Sequence, residues 1–360
     1  MSLPVPPPNS APSALQRAVQ HLAAGRMLDE TETELVFDEI MGGTADPALV
    51  GELLLALRAR GEHPDVVAGA ARALRNAMRR VEHPAPDTLV DTCGTGGGSV
   101  TTVNISTAAA FVAAGAGATV AKHGNRSFTS RSGSADVLEA LGLAIDLEPG
   151  PAGEVLRDVG VAFLFAPTYH PAMRHVAAVR RQLGVPTIMN MVGPLANPAS
   201  AGRQVVGVGD LARAPAMAGA LARLGTTHAL VLHAELGMDE ISPMGRTRVW
   251  EIRDSAVREW EFDPGTTGLA VTSLAGLEGG EPHENAAKLL ALLERPLEAA
   301  HALRSAVLLN AAAAIYVAGL APTLDAAAEL AVDSLESGRA IGKLGALRRV
   351  AAKGLRTNSR

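Results

Sequence analysis

From Thr88 onward, short β-branched and apolar runs alternate with Ala-rich helical stretches, and this alternation leaves few folds open. The runs Thr88 to Cys93, Ala118 to Ala121, Val161 to Phe165, Gln204 to Val208 and Ala229 to His233 each have the length and composition of a buried strand. Helical stretches separate them, including Asn104 to about Gly115 and Ala135 to Leu141. Strand, helix, strand in succession implies crossovers, hence parallel strands with helices packed on the sheet. Further helices are expected at Glu284 to Glu294, Ala302 to Val317 and Ala326 to Glu336.

The chain before this point is different. Leu15, Val19 and Leu22 recur at helical spacing; Asp29 and Thr31 can cap a second helix, Asp46 and Pro47 open a third, and Pro64 opens a fourth. The expected fold class is therefore α/β: a small all-helical N-terminal domain and a larger domain with a mostly parallel central sheet flanked by helices. The expected division is a disordered, Pro-rich tail over 1–12, a helical domain over 13–86, and an α/β domain over 87–169 and 201–360. The segment 170–200, mostly helical, is expected to pack back onto the helical domain. No internal repeat is evident.

Bulk properties exclude several classes. The 360 residues carry a formal charge of −5 and are only 3% aromatic, so no global field draws in nucleic acid and few bases could stack. Cys93 is the single cysteine, which rules out an intrachain disulfide and a cysteine metal cluster and fits a reducing cytoplasm. The apolar runs are interrupted by Gly or Asn and fall short of the ~20 residues a membrane span needs. The tail lacks the basic and apolar segments of a secretory signal. The expectation is a soluble, cytoplasmic protein with no nucleic-acid or membrane partner.

Two segments carry the chemistry. Asp91-Thr-Cys-Gly94-Thr-Gly-Gly-Gly98 is a strand ending in a glycine loop, which runs into a helix opening Asn104-Ile-Ser-Thr107. Such a loop lets backbone N–H groups approach an anion at a helix N-terminus, although a tight turn with Asn104 as cap would read the same way. Lys122-His-Gly-Asn-Arg-Ser127 follows the next strand and leads into Thr129, Ser130, Ser132 and Ser134. Ligands sit beyond the carboxyl ends of parallel strands, so both segments are expected to face one crevice; the competing reading of the second is a solvated polar loop. Cys93 reads as a small buried residue rather than a nucleophile, and His123, His170 and His175 receive no acid or base role.

Together these segments resemble the anthranilate phosphoribosyltransferases. The likeness continues through Ser132-Gly-Ser-Ala-Asp-Val-Leu-Glu-Ala-Leu-Gly142, Phe165-Ala-Pro-Thr-Tyr-His-Pro-Ala-Met-Arg-His175, Val179-Arg-Arg181 and Asn190-Met-Val-Gly-Pro-Leu-Ala-Asn-Pro198, and so covers nearly the whole chain. The resemblance implies transfer of a phosphoribosyl group from phosphoribosyl pyrophosphate (PRPP) to anthranilate. It places the donor against Gly94, Gly97, Gly98 and Thr102, against Asn104, Ile105, Ser106 and Thr107, and against Ser134. It adds the run Lys122, His123, Gly124, Asn125, Arg126, Ser127, Phe128, Thr129 and Ser130. Anthranilate would meet Gly94, Asn125 and Arg180, whose planar fork suits a carboxylate. Asp239 and Glu240, with Ser106, would hold Mg²⁺, two ions arriving with the diphosphate. A homodimer through the helical domain and residues 170–197 is implied too.

One position departs from the family pattern: an acid usually follows Gly-Thr-Gly-Gly, and here the residue is Gly98. Two rival readings share parts of the pattern. A pyrimidine nucleoside phosphorylase has a similar architecture but uses phosphate as acceptor, and Lys122 to Arg126 with Arg180 favour the transferase. A non-catalytic, nucleic-acid-binding paralogue would need a basic groove, against which the acidic balance and the retained Asp239-Glu240 both argue.

Overall fold

The computed structural model of the chain describes residues 11–127, 131–294, 298 and 301–357, the last seven by backbone alone. Residues 1–10 of the expected tail, and Phe128, Thr129 and Ser130 of the expected donor site, lie outside the described residues.

Four helices come first: α1 (Ala14–Ala23), α2 (Glu30–Met41), α3 (Pro47–Arg60) and α4 (Pro64–Asn76). Each starts where the sequence supplies a cap. Ser13 with Gln16 and Asp29 with Glu32 form capping boxes, Asp46 accepts from the Ala48 amide ahead of Pro47, and His63 accepts from the Asp65 amide ahead of Pro64. Thr31 sits inside the first turn of α2, so Asp29 alone caps it. Helices α2 and α4 approach so closely that a Cβ on Gly69 would lie 2.3 Å from the Glu30 carbonyl oxygen.

The larger unit runs β1 (Val90–Asp91), α5 (Ile105–Gly115), β2 (Val120–Gly124), α6 (Ser134–Ala140), α7 (Pro149–Val159), β3 (Val161–Phe165) and α8 (Ala166–Tyr169). It continues with α9 (Arg174–Leu183), α10 (Met189–Val192), β4 (Arg203–Gly207), α11 (Ala214–Arg223), β5 (His228–Ala234), β6 (Thr247–Arg253) and β7 (Ala256–Phe262). Helices α12 (Pro282–Glu294), α13 (Ala302–Val317), α14 (Leu324–Glu336) and α15 (Arg339–Thr357) complete it.

Among the described residues the strands form one seven-stranded sheet in the order β3-β2-β1-β4-β5-β6-β7. The first five are parallel, and β6 and β7 are antiparallel. Inner strands alternate between two cores: Val205, Leu230 and Leu232 point to the side of α5 and α13, while Val206, Ala229 and Val231 point to α4, α11 and the helical bundle. Val176, Val179, Met189 and Met191, on the excursion between β3 and β4, lie in the same core cluster as the bundle. Among the described residues, no helix is long and apolar enough to cross a membrane.

Three expectations shift. The first strand is only Val90–Asp91, because a 3₁₀ turn takes Pro86 to Thr88 and the Thr92 carbonyl accepts from the Lys122 side chain instead of a neighbouring strand. The second strand runs two residues later than expected at its start and three at its end, so Lys122, His123 and Gly124 pair with Phe163, Leu164 and Phe165 as strand rather than loop. The β6–β7 hairpin, turning on Asp254 and Ser255 in the left-handed region at φ 51° and 63°, and helix α15 fall outside the expected elements.

Two buried side chains tie the sheet to the excursion: Gln204 of β4, which donates to the Pro194 carbonyl at 2.8 Å, and Asn197. Asn197 donates to Asp91 Oδ2 at 2.7 Å and to the Ala121 carbonyl at 2.8 Å, while Asp91 Oδ1 accepts from the His123 amide. Asn197→Ala strands a buried carboxylate oxygen and a carbonyl, and is expected to cost roughly 3 kcal/mol of stability by urea unfolding. A loss below about 1 kcal/mol would show that the tie is dispensable.

Candidate active site

Strand order reverses direction between β1 and β4, and the crevice lies above the carboxyl ends of these strands, as open α/β sheets dictate. A cavity of about 690 Å³ opens there, walled on one side by the glycine loop, the first turn of α5 and the tip of β2, and on the other by α8 to α10. The sequence-predicted segments therefore converge.

The glycine loop is built for close backbone approach. A Cβ on Gly94 would lie 2.8 Å from the Gly207 carbonyl oxygen, and Gly96 and Gly97 have φ of 66° and 82°. The Thr95 amide donates to Gly207 and that of Ser99 to Gly237, anchoring both ends. The amides of Gly97 and Gly98 have no protein acceptor among the described residues. Gly98 does not line the cavity: it packs under Asp239, where a Cβ would meet the Gly237 carbonyl oxygen at 2.9 Å and Asp239 Oδ1 at 3.0 Å.

At the start of α5, Asn104 occupies the cap position but does not cap. Its Nδ2 donates to the Ser132 carbonyl at 3.2 Å and its Oδ1 accepts from Asn285 at 3.0 Å, fixing the serine-rich loop instead. Ser106 lines the cavity; its amide donates to Glu240 Oε1 at 3.0 Å. Thr107 also lines it, with a buried hydroxyl that has no partner among the described residues. Thr102 stands behind Glu240, its hydroxyl donating to Oε2 at 3.4 Å, and the Ile105 side chain is in the core. For Thr102 and Ile105 the sequence reading and the cavity wall do not coincide.

Lys122 is 4% exposed and donates to the Thr92 carbonyl at 3.0 Å, the Thr92 hydroxyl at 3.2 Å and Ser106 Oγ at 3.3 Å. Burial pulls its pKa below the ordinary lysine value, while Cys93, Asp91 and Glu240 oppose that shift. Next to it the His123 and His170 rings lie 5.0 Å apart, and burial keeps both neutral, His123 well below the usual histidine range and His170 down to about 4. The Cys93 thiol is pushed up to about 12 by burial and then by Asp91, so it is no nucleophile.

Gly124, Asn125, Arg126, Ser127 and Ser134 all line the cavity. Arg126, however, is bound to Asp136 at 2.7 Å and Glu139 at 2.5 Å on α6 and stacks over Phe165, so its charge is already neutralised. Arg180 is the opposite case. It reaches the cavity from the last turn of α9, burial pulls its pKa below the ordinary arginine value, and it has no carboxylate partner among the described residues.

Asp239 and Glu240 line the cavity side by side across from Ser106. Burial raises both carboxyls, and Glu240, with Asp239 beside it as the second cause, reaches about 8. Two half-buried carboxyls that resist joint ionisation, with a serine oxygen opposite, are a hard-oxygen donor set that fits a divalent cation such as Mg²⁺. Gly207, passed over in the sequence, makes this possible: a Cβ there would lie 1.5 Å from the Asp239 carbonyl oxygen. Only its position beside a loop far along the chain reveals the need, and no local pattern marks it. The wall of Met173, Arg174, Ala177 and Met189 is likewise absent from the expected site residues.

Known proteins share this architecture. Residues 86–341 match the glycosyl transferase family, a/b domain, and residues 16–78 match the helical bundle domain of the same family. The anthranilate phosphoribosyltransferase of Rubrobacter xylanophilus is 49% identical over 330 residues, covering 92% of this chain and 95% of that protein. The crystal structure of the anthranilate phosphoribosyltransferase from Thermus thermophilus superimposes with a TM-score of 0.86 at 42% identity, over 93% of this chain and 99% of that one. The Saccharomyces cerevisiae enzyme in complex with PRPP and Mg gives a TM-score of 0.86 at 27% identity, over 94% and 98% of the two chains. With identity of this extent carried across both domains, the chain belongs to the anthranilate phosphoribosyltransferase family.

Proposed function

We propose that this chain transfers the 5-phosphoribosyl group of PRPP to the amine of anthranilate, giving N-(5-phosphoribosyl)anthranilate and diphosphate in tryptophan biosynthesis. The observation that carries this reading is Arg180, a partly buried cation with no carboxylate partner among the described residues, facing a cavity whose other wall is a glycine loop and two acids. Leaving such a charge unpaired is costly unless a ligand supplies the anion, and an aromatic carboxylate in a wall of Met173, Pro167 and Met189 does so. A yeast relative has been solved with PRPP and Mg, and with 4-fluoroanthranilate. A phosphorylase acceptor would give Arg180 no aromatic carboxylate to bind, and a nucleic-acid paralogue would have no use for the acid pair.

The donor's diphosphate is assigned to the Gly97 amide, Ser106, Thr107 and the rim formed by Asn125, Ser127 and Ser134. Asp239, Glu240 and Ser106 would hold Mg²⁺, two ions in our reading, which when bound neutralises charge on the departing diphosphate. Lys122 orients Ser106 from below and keeps a positive charge under the loop. Anthranilate's carboxylate is placed on Arg180 with Asn125 and the Gly94 backbone beside it, so that its amine points at the anomeric carbon. The reaction then passes through an oxocarbenium-like transition state. An aryl amine is neutral at pH 7, so alignment replaces base catalysis, in keeping with two histidines held neutral by burial.

The proposal extends to a cytoplasmic homodimer that pairs through the helical domain, and to a division into tail 1–12, helical domain 13–86 and α/β domain 87–169 with 201–360. The direct assay is diphosphate release with and without anthranilate: release should require anthranilate and Mg²⁺, and purified protein that forms no phosphoribosyl anthranilate refutes the reading. Arg180→Ala should raise the KM for anthranilate roughly 10- to 100-fold and leave the donor KM within about twofold. An unchanged anthranilate KM removes Arg180 from the acceptor pocket. Gly207→Ala, which forces Asp239 out of place, should lower kcat/KM for PRPP at least about tenfold with the fold retained by circular dichroism. Activity near that of the unaltered enzyme would mean that Asp239 is not a metal ligand.

A further inference from the structure

Helix α15 is strongly basic and begins where the sheet's helices end. Its buried stripe, Ala340, Leu344 and Leu347, packs into the core, and at 3.6 residues per turn Arg339 and Lys343 fall on one flank of that stripe and Arg348 on the other. Each of these cations reaches a backbone carbonyl, and Arg339 also pairs with Asp333 at 2.6 Å. Arg339 Nε donates to the Gly115 carbonyl at 2.9 Å, Lys343 Nζ to that of Val159 at 2.6 Å, and Arg348 Nε to that of Leu141 at 2.7 Å. Gly115 is the last residue of α5, Val159 the last of α7, and Leu141 the residue that caps α6.

These three targets share one property. Helices α5, α6 and α7 all belong to the crossovers among β1, β2 and β3, so their N-terminal ends lie at the catalytic edge of the sheet and their C-terminal ends at the opposite edge. Their last carbonyls have no partner within their own helices, and they carry the negative ends of the helix dipoles. Cations are the donors best suited to both conditions. The contact is fitted rather than casual: a Cβ on Gly115 would lie 2.3 Å from Ser334 Oγ and 2.7 Å from the Ala340 amide nitrogen, and Ser334 Oγ already donates to the Val112 carbonyl.

We propose that α15 is a positioning strap for donor binding: Arg339, Lys343 and Arg348 hold the far ends of α5, α7 and α6 and thereby fix where the near ends of α5 and α6 stand in the cleft. This rests on the reading that Ser106, Thr107 and Ser134 face the donor. Arg348 matters most, because α6 has only seven residues, too few to hold itself in water, and bears both Ser134 and the Asp136 that binds Arg126. Its near end is tied by the Gly133 amide on Asp136 and its far end by Arg348. Arg348 does not line the cavity, so it acts through α6 and is a positioning residue.

The test compares Arg348→Met, Arg348→Lys and Arg339→Met with the unaltered enzyme in steady-state kinetics, together with amide hydrogen exchange over residues 131–141. Arg348→Met should raise the KM for PRPP about three- to tenfold, leave the anthranilate KM within about twofold, and speed exchange across 131–141. Arg348→Lys, which keeps a charged donor, should return the PRPP KM to within about twofold of the unaltered value. An unchanged PRPP KM in Arg348→Met, or a rise in both KM values together, overturns the strap, since a purely structural loss would not single out the donor. If Arg348→Met does not fold, the same criterion applies to Arg339→Met, which frees the far end of α5. Ser106→Ala run alongside separates the premise from the inference. A raised donor KM there with none in Arg348→Met defeats the strap alone; no effect in Ser106→Ala removes the donor-site reading and the strap with it.

Discussion

A lysine with almost no exposure to water holds the catalytic edge together. Lys122 gives its three protons to Thr92 and Ser106, joining the tip of β2 to the end of β1 and the first turn of α5. A buried ammonium that donates three hydrogen bonds to oxygens is tolerable; one without them would give up its proton or unfold its surroundings. Because the Thr92 carbonyl serves Lys122, β1 ends early and the chain is released into the glycine loop at the point where the loop must cross to Gly207. The same ammonium lies under Ser106, whose amide holds Glu240. Strand length, loop path and acid placement thus follow from one side chain.

The charges around it are unfinished without ligands. Asp91 is raised by burial to about 6 and Glu240 by burial and by Asp239 to about 8, while Arg180 across the cleft lacks an acid among the described residues and Arg126 is already satisfied by α6. A cation between the acids and an anion on Arg180 would relieve both ends, and neither end can relieve the other across an open cavity. Such separation keeps the cleft from collapsing on its own salt bridges. On the proposed reading it also divides the labour in space: diphosphate and metal at the loop side, carboxylate at the α9 side.

Much of this is legible in the sequence, for identifiable reasons. Parallel strands follow from β-branched runs separated by Ala-rich helices, and the starts of α1 to α4 from local cap chemistry, which depends on a few neighbouring residues. Arg180, Lys122 and the acid pair are visible as members of long motifs. What escapes depends on partners far along the chain. Gly207 is an unremarked strand-end glycine until Asp239 is placed against it, Asn104 is an ordinary cap until Asn285 and Ser132 claim its side chain, and Lys122 to Gly124 read as loop until five residues of β3 pair with β2. The β6–β7 hairpin escapes because its turn is Asp254-Ser255, without the glycine that usually announces left-handed turn residues.

Gly98 shows how such distant packing changes the meaning of a substitution. Read along the chain, the missing acid is a lost ligand or a lost repulsion, and nothing local chooses between them. In three dimensions the space beside Gly98 is filled by the Gly237 carbonyl and by Asp239 Oδ1, so a side chain here would compete for room with the acid pair as well as for charge. Ser99, the next residue, donates its amide to Gly237 and so binds the two loops at this contact. The glycine loop and the acid loop therefore behave as one packed unit, in which Asp239 lies against the backbone of Gly98. On the proposed reading, donor binding in this chain consequently rests on two acids rather than three, and on backbone amides whose position is set by glycine-to-backbone contacts at residues 94, 98, 207 and 209.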